Sequence, residues 1–267
     1  MALPVPSESS TAVVTGASAG IGEAIARELA ARGQNLTLAA RREERLTELA
    51  AELHDQHGVR VGIVACDLGE ASARDRLAAQ IADLGFEVEV LVNNAGFGYV
   101  GDFVDGDRGR QVEMVRLNCE AVVDLTARYL PAMVQRGRGN VINIASTGAF
   151  QPMPKSATYG ATKAFVLSHS EAVHHELRGT GVTLTAVCPG PVRTEFVEAA
   201  DIKGADSAPG FVWMSAEDIA KETVDAAEAG KRAIVPGMLN YAGMLLGRHS
   251  PRVLTLPFAE RFWSQVE

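Results

Sequence analysis

Two side chains with complementary proton chemistry, Tyr159 and Lys163, lie four residues apart in the stretch YGATK. The surrounding residues follow a helical pattern, and residues four apart in a helix project from one face. A free tyrosine has a pKa of about 10, too high for easy proton exchange at neutral pH. A fixed ammonium group nearby lowers that pKa, so the pair predicts a general acid or base. The alternative is that Tyr159 and Lys163 are exposed on the helix surface and have no catalytic role.

Three glycines, Gly16, Gly20 and Gly22, stand between an apolar run and a helical pattern. The run Thr11–Thr15 predicts a strand and the residues from Ile21 predict a helix, so the glycines occupy a strand-to-helix turn. Glycine has no Cβ and lets a ligand approach the backbone. The free N–H groups and the helix dipole at this point favour an anion, typically a pyrophosphate. A tight turn without a ligand is the alternative.

The rest of the chain alternates short apolar or β-branched runs with helical patterns. This alternation predicts a doubly wound α/β fold of the Rossmann type, with about seven parallel strands and helices on both faces. We expect one domain over residues 1–267, with a core at about 11–235 and a tail, 236–267, packed on the body or at a subunit interface. The predicted strands are Thr11–Thr15, Asn35–Ala40, Arg60–Cys66, Val88–Val92, Asn140–Ala145, Val182–Cys188 and Arg232–Val235. The predicted helices are Ile21–Arg32, Glu43–His57, Ala71–Leu84, Gly109–Arg136, Thr158–Arg178 and Ala216–Ala229.

Charge and composition disfavour several classes of function. The formal net charge of −8 argues against a nucleic-acid partner. The first ten residues lack the features of a signal peptide, and the apolar run Met238–Leu246 is too short for a membrane span. The sparse cysteines, Cys66, Cys119 and Cys188, form no CxxC and indicate reduced thiols and a cytoplasmic location. The histidines lack metal-ligand spacing, so we predict no metal site.

Several motifs in one order resemble the short-chain dehydrogenase/reductase family, with features of its ketoacyl-reductase-like branch. The resemblance covers about residues 11–235, and the ordered set is far more specific than any single motif. The matching pieces are Thr15–Gly22 (TGASAGIG), Asn93–Gly96 (NNAG), Asn118, Ser146, Tyr159–Lys163 (YGATK) and Pro189–Thr194 (PGPVRT).

The resemblance implies a catalytic group of Asn118, Ser146, Tyr159 and Lys163. Ser146 is expected to donate its hydroxyl to a substrate carbonyl and to stabilise oxyanion charge. Asn118 is expected to anchor a water that relays protons to Lys163. A reduced nicotinamide supplies hydride while Tyr159 protonates the substrate oxygen. As isolated features, each of these residues has an ordinary structural explanation.

The resemblance also implies a dinucleotide site built from the turns that follow the strands. Asn93 is expected to brace neighbouring strands, and Asp67 to accept a hydrogen bond from adenine or, equally, to cap the following helix. The expected contacts are Gly16, Ser18, Gly20, Ile21, Gly22, Asp67, Leu68, Asn94, Ala95, Gly96, Tyr159, Lys163, Pro189, Gly190, Val192 and Thr194.

Arg41 and Arg42 follow the second predicted strand, where NAD-binding relatives of this fold carry an acidic residue for the ribose hydroxyls. An acid there repels a 2′-phosphate, whereas arginine binds it with charge-assisted hydrogen bonds. We therefore predict NADP (NADPH) rather than NAD, with Arg41 as the main contact and Arg42 as the secondary one. The alternative is that both arginines are solvent-exposed residues at the start of a helix and bind no phosphate.

The residues near the proposed Ser and Tyr are largely apolar, which favours a small-molecule substrate with a large apolar surface. A 3-oxoacyl thioester or another apolar ketone fits best. An NADP-linked dehydrogenase of hydroxysteroids or small alcohols and a silent dinucleotide-binding sensor or scaffold are the alternatives. By analogy with relatives, the helices Gly109–Arg136 and Thr158–Arg178 are expected to form a homodimer or homotetramer. The lining residues are Phe97, Tyr99, Phe150, Pro152, Met153, Phe196, Phe211, Trp213 and Met214.

Overall fold

A parallel sheet of seven strands forms the centre of the computed structural model, which describes residues 3–195 and 213–263. The strand order is β3-β2-β1-β4-β5-β6-β7, and every neighbouring pair is parallel. The predicted doubly wound fold with seven strands is thus confirmed. The strands are β1 (Ser10–Thr15), β2 (Leu36–Ala40), β3 (Val61–Ala65), β4 (Glu87–Asn93), β5 (Gly139–Ile144), β6 (Val182–Val187) and β7 (Ala233–Ile234).

Helices connect the strands and cover both faces of the sheet. Their ends lie within two residues of the predicted ends, but the predicted helix Gly109–Arg136 is interrupted by a π-helical turn, Arg116–Glu120. The tail forms two further helices. The helices are α1 (Gly20–Ala31), α2 (Glu43–His57), α3 (Ala71–Asp83), α4 (Arg108–Val115), α5 (Ala121–Arg136), α6 (Ala157–Glu176), α7 (Ala216–Glu228), α8 (Met238–His249) and α9 (Arg252–Trp263).

Two apolar cores flank the sheet, because successive residues of a strand point to opposite faces. On β1, Val14 packs into the core beneath α1, whereas Val13 packs into the core beneath α3 and α5. Every residue of β1, β2, β5 and β6 is buried. Burying one such aliphatic side chain contributes roughly 1.5–3 kcal/mol. The nearly unbroken apolar runs in the sequence therefore produce a rigid platform.

The strand order reverses between β1 and β4, and ligands of open α/β sheets bind at the carboxyl edge beside such a reversal. Thr15, the last residue of β1, joins the two strands at this edge. Its hydroxyl donates to the Val92 carbonyl at 3.0 Å and accepts from the backbone N–H groups of Asn94 at 2.9 Å and Ala95 at 3.0 Å. The turns after β1 and β4 are therefore held as one unit.

Candidate active site

The turn after β1 leaves an open helix N-terminus surrounded by glycine. Gly16 and Gly20 have φ values of +65° and +60°, which glycine adopts without strain. A Cβ on Gly16 would lie 2.8 Å from the Asn94 side-chain nitrogen, and one on Gly22 would overlap the Gly16 carbonyl. The N-cap residue of α1, Ala19, has no side-chain acceptor for the N–H groups of the first turn. These features fit the diphosphate of a dinucleotide.

The two arginines after β2 have different surroundings. Arg42 donates to the Ser18 hydroxyl at 3.2 Å and to the Ser18 carbonyl at 3.1 Å, and it pairs with Glu195 at 2.8 Å. Arg41 is exposed, and within residues 3–195 and 213–263 it makes no hydrogen bond or ion pair. Of the two arginines, Arg41 is therefore the one whose donors are not engaged by any described residue. That Arg41 is the main contact to a 2′-phosphate and Arg42 the secondary one remains a prediction.

The turn after β3 is shaped by Asp67, whose carboxylate accepts a hydrogen bond from the Gly69 N–H at 3.0 Å. The N-cap of α3 is Glu70, so Asp67 does not cap that helix. Leu68 is buried, and its carbonyl accepts from the Arg74 guanidinium at 2.8 Å. The structure thus fixes the backbone of the segment expected to face adenine.

Asparagine side chains organise the turn after β4. The Asn93 amide donates to Asn143 on β5 at 2.9 Å and to Thr126 on α5 at 3.1 Å, and so braces neighbouring elements. The Asn94 amide donates to the Thr15 carbonyl at 2.9 Å. A Cβ on Gly96 would lie 2.8 Å from the Asn118 side-chain oxygen, so only glycine fits beside that residue.

Asn118 lies in the π-helical turn, a local widening that is frequent at functional sites. Its side chain is buried and donates to the Phe97 carbonyl at 3.0 Å and to the Thr162 hydroxyl at 3.1 Å. Its oxygen accepts from the Phe97 N–H at 3.2 Å. Asn118 thereby ties the turn after β4 to α6, which carries Tyr159 and Lys163.

Ser146, Tyr159 and Lys163 meet beyond the end of β5. The Ser146 hydroxyl accepts from the Gly148 N–H at 3.1 Å, and its interaction with the Tyr159 hydroxyl lowers the pKa of that phenol. Lys163 is buried and donates to the Ile144 carbonyl at 2.8 Å. Its ammonium lies 5.8 Å from the centre of the Tyr159 ring. Side chains from two separate sequence motifs therefore form one polar cluster.

Burial controls the protonation of this cluster. It raises the pKa of Tyr159 to about 12, and the Ser146 hydrogen bond offsets only part of that shift. Burial lowers the pKa of Lys163 to about 8. We expected the ammonium to acidify the phenol, but in the chain by itself the desolvation of the phenolate is the larger effect. Tyr159 is therefore a protonated hydrogen-bond donor at neutral pH.

The loop after β6 completes the carboxyl edge of the sheet. The Pro189 carbonyl accepts from the Thr147 N–H at 2.9 Å, and Val192 forms a parallel bridge with Met214. A Cβ on Gly20 would lie 3.1 Å from the Thr194 side chain, so this loop reaches the glycine turn. The loop thus closes one side of the proposed dinucleotide site.

A residue that the sequence did not single out, Asn240 on α8, lies against this loop. A Cβ on Gly190 would be 2.6 Å from the Asn240 side-chain nitrogen. The arginines over the aromatic lining were also missed. Arg110 lies 5.8 Å from the centre of the Phe97 ring, and Arg248 lies 5.8 Å from that of Phe150. Only the tertiary fold brings these residues to the site, so no local motif could have revealed them.

The remaining predicted lining residues are distributed around the same edge. Met153 is buried against Gly148 and Gly160, and Trp213 lies with its ring centre 5.5 Å from the Arg193 guanidinium carbon. Phe196 and Phe211 lie outside the described residues. The lining is therefore apolar but includes cationic side chains at its rim.

Over 3–195 and 213–263, no three His, Cys, Asp or Glu side chains converge as a metal site would require. Over the same ranges, no helix combines the length and the apolar character that crossing a bilayer demands.

Comparison with known proteins establishes the family. The family model described as short chain dehydrogenase matches residues 10–203. The chain is 38% identical over 189 residues to the very-long-chain 3-oxoacyl-CoA reductase of Anas platyrhynchos, a match that covers 69% of this chain and 60% of that protein. It is 39% identical over 200 residues to a candidate ketoacyl reductase of the granaticin polyketide synthase of Streptomyces violaceoruber, covering 74% of this chain and 73% of that protein.

Solved structures agree with this result. A short-chain dehydrogenase from Sphingobium yanoikuyae in complex with NADPH superposes with a TM-score of 0.80 at 30% identity, covering 97% of this chain and 96% of that one. A 7β-hydroxysteroid dehydrogenase shares the fold with a TM-score of 0.83 at 24% identity, covering 96% of both chains. The chain therefore belongs to the short-chain dehydrogenase family and is an oxidoreductase.

Proposed function

We propose that the protein is an NADPH-dependent carbonyl reductase that acts on an apolar ketone such as a 3-oxoacyl thioester. The observation that carries this proposal is the polar cluster in which Ser146 interacts with the Tyr159 hydroxyl and the Lys163 ammonium lies 5.8 Å from the centre of the phenol ring. Two hydroxyl donors side by side suit a carbonyl oxygen that gains negative charge. Tyr159 is protonated at neutral pH and can therefore supply the proton that this oxygen receives.

Each side chain of the cluster has a defined task. Ser146 and Tyr159 hold the substrate oxygen, and Tyr159 transfers its hydroxyl proton to it. Lys163 supplies the positive charge that limits the cost of the resulting phenolate, and Asn118 fixes α6 relative to the turn after β4. When bound, NADPH supplies the hydride. The glycine turn and the segments after β3, β4 and β6 would hold that cofactor.

The preference for NADPH rests on Arg41. Its guanidinium is exposed and without a partner in the described part of the chain, at the end of β2 where an acid would favour NAD. The structural relative from Sphingobium yanoikuyae binds NADPH. Both points support NADPH as the physiological cofactor.

The substrate class rests on the lining of the cleft. Phe97, Tyr99 and Phe150 provide apolar surface, and Arg110 and Arg248 lie over these rings. An apolar acyl chain fits the rings, and the cations at the rim fit the phosphates of a thioester carrier. The two relatives named above as oxoacyl or ketoacyl reductases agree with this class.

The proposal is tested by offering the enzyme a panel of carbonyl compounds and measuring NADPH consumption by its absorbance. Wild type is expected to reduce 3-oxoacyl thioesters, and Tyr159→Phe to lose roughly 10²–10⁴-fold in turnover because its proton donor is gone. Tyr129→Phe is a matched control, since the Tyr129 hydroxyl is also buried but has no hydrogen-bond partner among the described residues. Binding of NADPH, measured by fluorescence, should persist in both variants.

Two results of that panel would contradict the proposal. If wild type binds NADPH but reduces no carbonyl compound, the protein is better described as a non-catalytic dinucleotide-binding sensor or scaffold. If only secondary alcohols are turned over, with NADP⁺ as acceptor, the dehydrogenase alternative replaces reduction. Equal activity of Tyr159→Phe and Tyr129→Phe would remove Tyr159 from catalysis.

A further inference from the structure

The two helices of the tail, α8 and α9, expose an unusual amount of apolar surface. We call this element, Met238–Trp263, the C-terminal helix pair. On α8, positions 238, 241, 242, 245 and 246 share one face by their spacing, and all are exposed. Leu246 is 75% exposed, and Val253 at the start of α9 is 77% exposed. The outward face of the pair therefore offers clustered aliphatic side chains to a partner.

The opposite face of α8 packs on the loops that flank the catalytic cluster. Asn240 contacts Gly190 in the loop after β6, and Gly247 lies against Gln151 in the loop after β5. Met244, between them, is buried. Because α8 touches both loops, whatever binds its outward face lies one helix diameter from the cleft.

The charge of the pair differs in sign from that of the rest of the chain. The pair has a net charge of +2, from Arg248, Arg252, Arg261 and Glu260. Because the whole chain has a formal net charge of −8, the remaining residues together carry −10. All three arginines are exposed, but Arg248 lies over the Phe150 ring and Arg252 donates to the Phe150 carbonyl at 3.4 Å, so these two lie at the edge of the pair that adjoins the loop after β5. Exposed aliphatic side chains flanked by arginine complement an anionic lipid surface, and the acidic remainder would be repelled from it.

A second copy of the chain fits this face less well. Closed dimers place the same patch on both sides of a two-fold axis. Two copies that met through the helix pair would set two surfaces of net charge +2 against each other, and like charges oppose association.

We infer that the outward face of the C-terminal helix pair docks on the surface of an anionic lipid bilayer, without spanning it. This docking places the cleft beside the phase in which long-chain acyl substrates concentrate, a consequence that rests on the proposed function. The docking itself rests only on the exposed side chains and the charge of the pair.

Co-sedimentation with vesicles tests this inference. Wild type is expected to sediment with vesicles of phosphatidylcholine and phosphatidylglycerol, less with phosphatidylcholine alone, and less as salt is added. Leu246→Ser combined with Val253→Ser should lower the partition coefficient at least about fivefold, because two inserted aliphatic side chains are lost. Leu84→Ser combined with Val104→Ser is the matched control, since Val104 is 88% exposed but lies outside the pair, and it should sediment like wild type.

Arg248→Gln combined with Arg252→Gln provides a second variant and should abolish the preference for phosphatidylglycerol. The inference is overturned if wild type does not sediment with either vesicle, or if the control pair loses as much binding as Leu246→Ser/Val253→Ser. It is also overturned if light scattering shows that Leu246→Ser/Val253→Ser converts an oligomer to smaller species while vesicle binding is unchanged. Sedimentation needs no turnover, so vesicle binding without carbonyl reduction would refute the proposed function alone.

Discussion

At the scale of single residues, burial of charged groups away from water governs the candidate active site. Tyr159 and Lys163 both have pKa values shifted toward their neutral forms by burial. The Ile144 carbonyl accepts from the Lys163 ammonium and holds it in position, and the interaction with Ser146 lowers the pKa of Tyr159 against the effect of burial. The chain alone therefore prepares a proton donor, and any acidification of the phenol must come from charge that enters with a ligand.

The buried ammonium of Lys163 makes stability depend on pH. Its pKa is about 8 in the folded chain against an ordinary value of 10.5, so above pH 8 the unfolded chain binds more protons than the folded one. Stability from this group therefore rises with pH between these values. Lys163→Met removes the effect, and its unfolding free energy relative to wild type should fall by about 2 kcal/mol between pH 7 and pH 9.5. Urea denaturation at both pH values measures this; a difference that does not change with pH contradicts it.

Cofactor preference is also decided by one residue. Arg41→Asp replaces an available cation with an anion at the expected 2′-phosphate position, so KM for NADPH should rise roughly 10–100-fold while KM for NADH changes little. Arg42→Gln should have a smaller effect on KM for NADPH, because the Arg42 guanidinium is already engaged by Ser18 and Glu195. Steady-state kinetics with both cofactors provide the measurement. An equal loss with NADPH and NADH would show that Arg41 does not recognise the phosphate.

At the scale of secondary-structure elements, ion pairs connect the helices that carry the site. Arg74 on α3 is buried and pairs with Glu120, the last residue of the π-helical turn, and with Asp124 on α5. The same guanidinium donates to the Leu68 carbonyl. One side chain therefore links the segment after β3 to the turn that carries Asn118.

Loss of this connection should be costly. Arg74→Met leaves two carboxylates without their partner and should lower the unfolding free energy by roughly 2–4 kcal/mol, below the cost at a fully buried pair because Glu120 is 54% exposed. Arg128→Met is the matched control, since Arg128 pairs with Asp75 and Asp124 nearer the surface, and it should cost less than about 1 kcal/mol. Chemical denaturation compares the two variants, and similar losses would contradict the assigned role of Arg74.

At the scale of the whole molecule, apolar side chains remain exposed on the helices that we expect to pair. Val115 on α4, Val123 on α5 and Phe165 on α6 are exposed, and Phe165 stacks on His169 with ring centres 5.9 Å apart. Such residues on adjacent helices are typical of a subunit interface. A homodimer or homotetramer through these helices remains our prediction.

Phe165→Glu tests that assembly. A carboxylate buried at the centre of an isologous interface meets its own symmetry mate, so the variant should shift the particle toward monomer by roughly tenfold or more in dissociation constant. Light scattering coupled to size exclusion gives the mass. Thr158→Glu, at the start of the same helix, serves as the control for helix integrity. A wild-type monomer would contradict the prediction before any variant is made.

The sequence by itself determined the doubly wound fold and the glycine turn, and it predicted the candidate catalytic residues Asn118, Ser146, Tyr159 and Lys163. Each of these depends on local periodicity, on backbone freedom or on a motif of few residues, which the chain carries wherever it folds. Only the tertiary structure decided the protonation of Tyr159, the separate surroundings of Arg41 and Arg42, and the positions of Asn240, Arg110 and Arg248. Burial and contacts between distant residues set these properties, and the linear order of residues does not state which of them become neighbours.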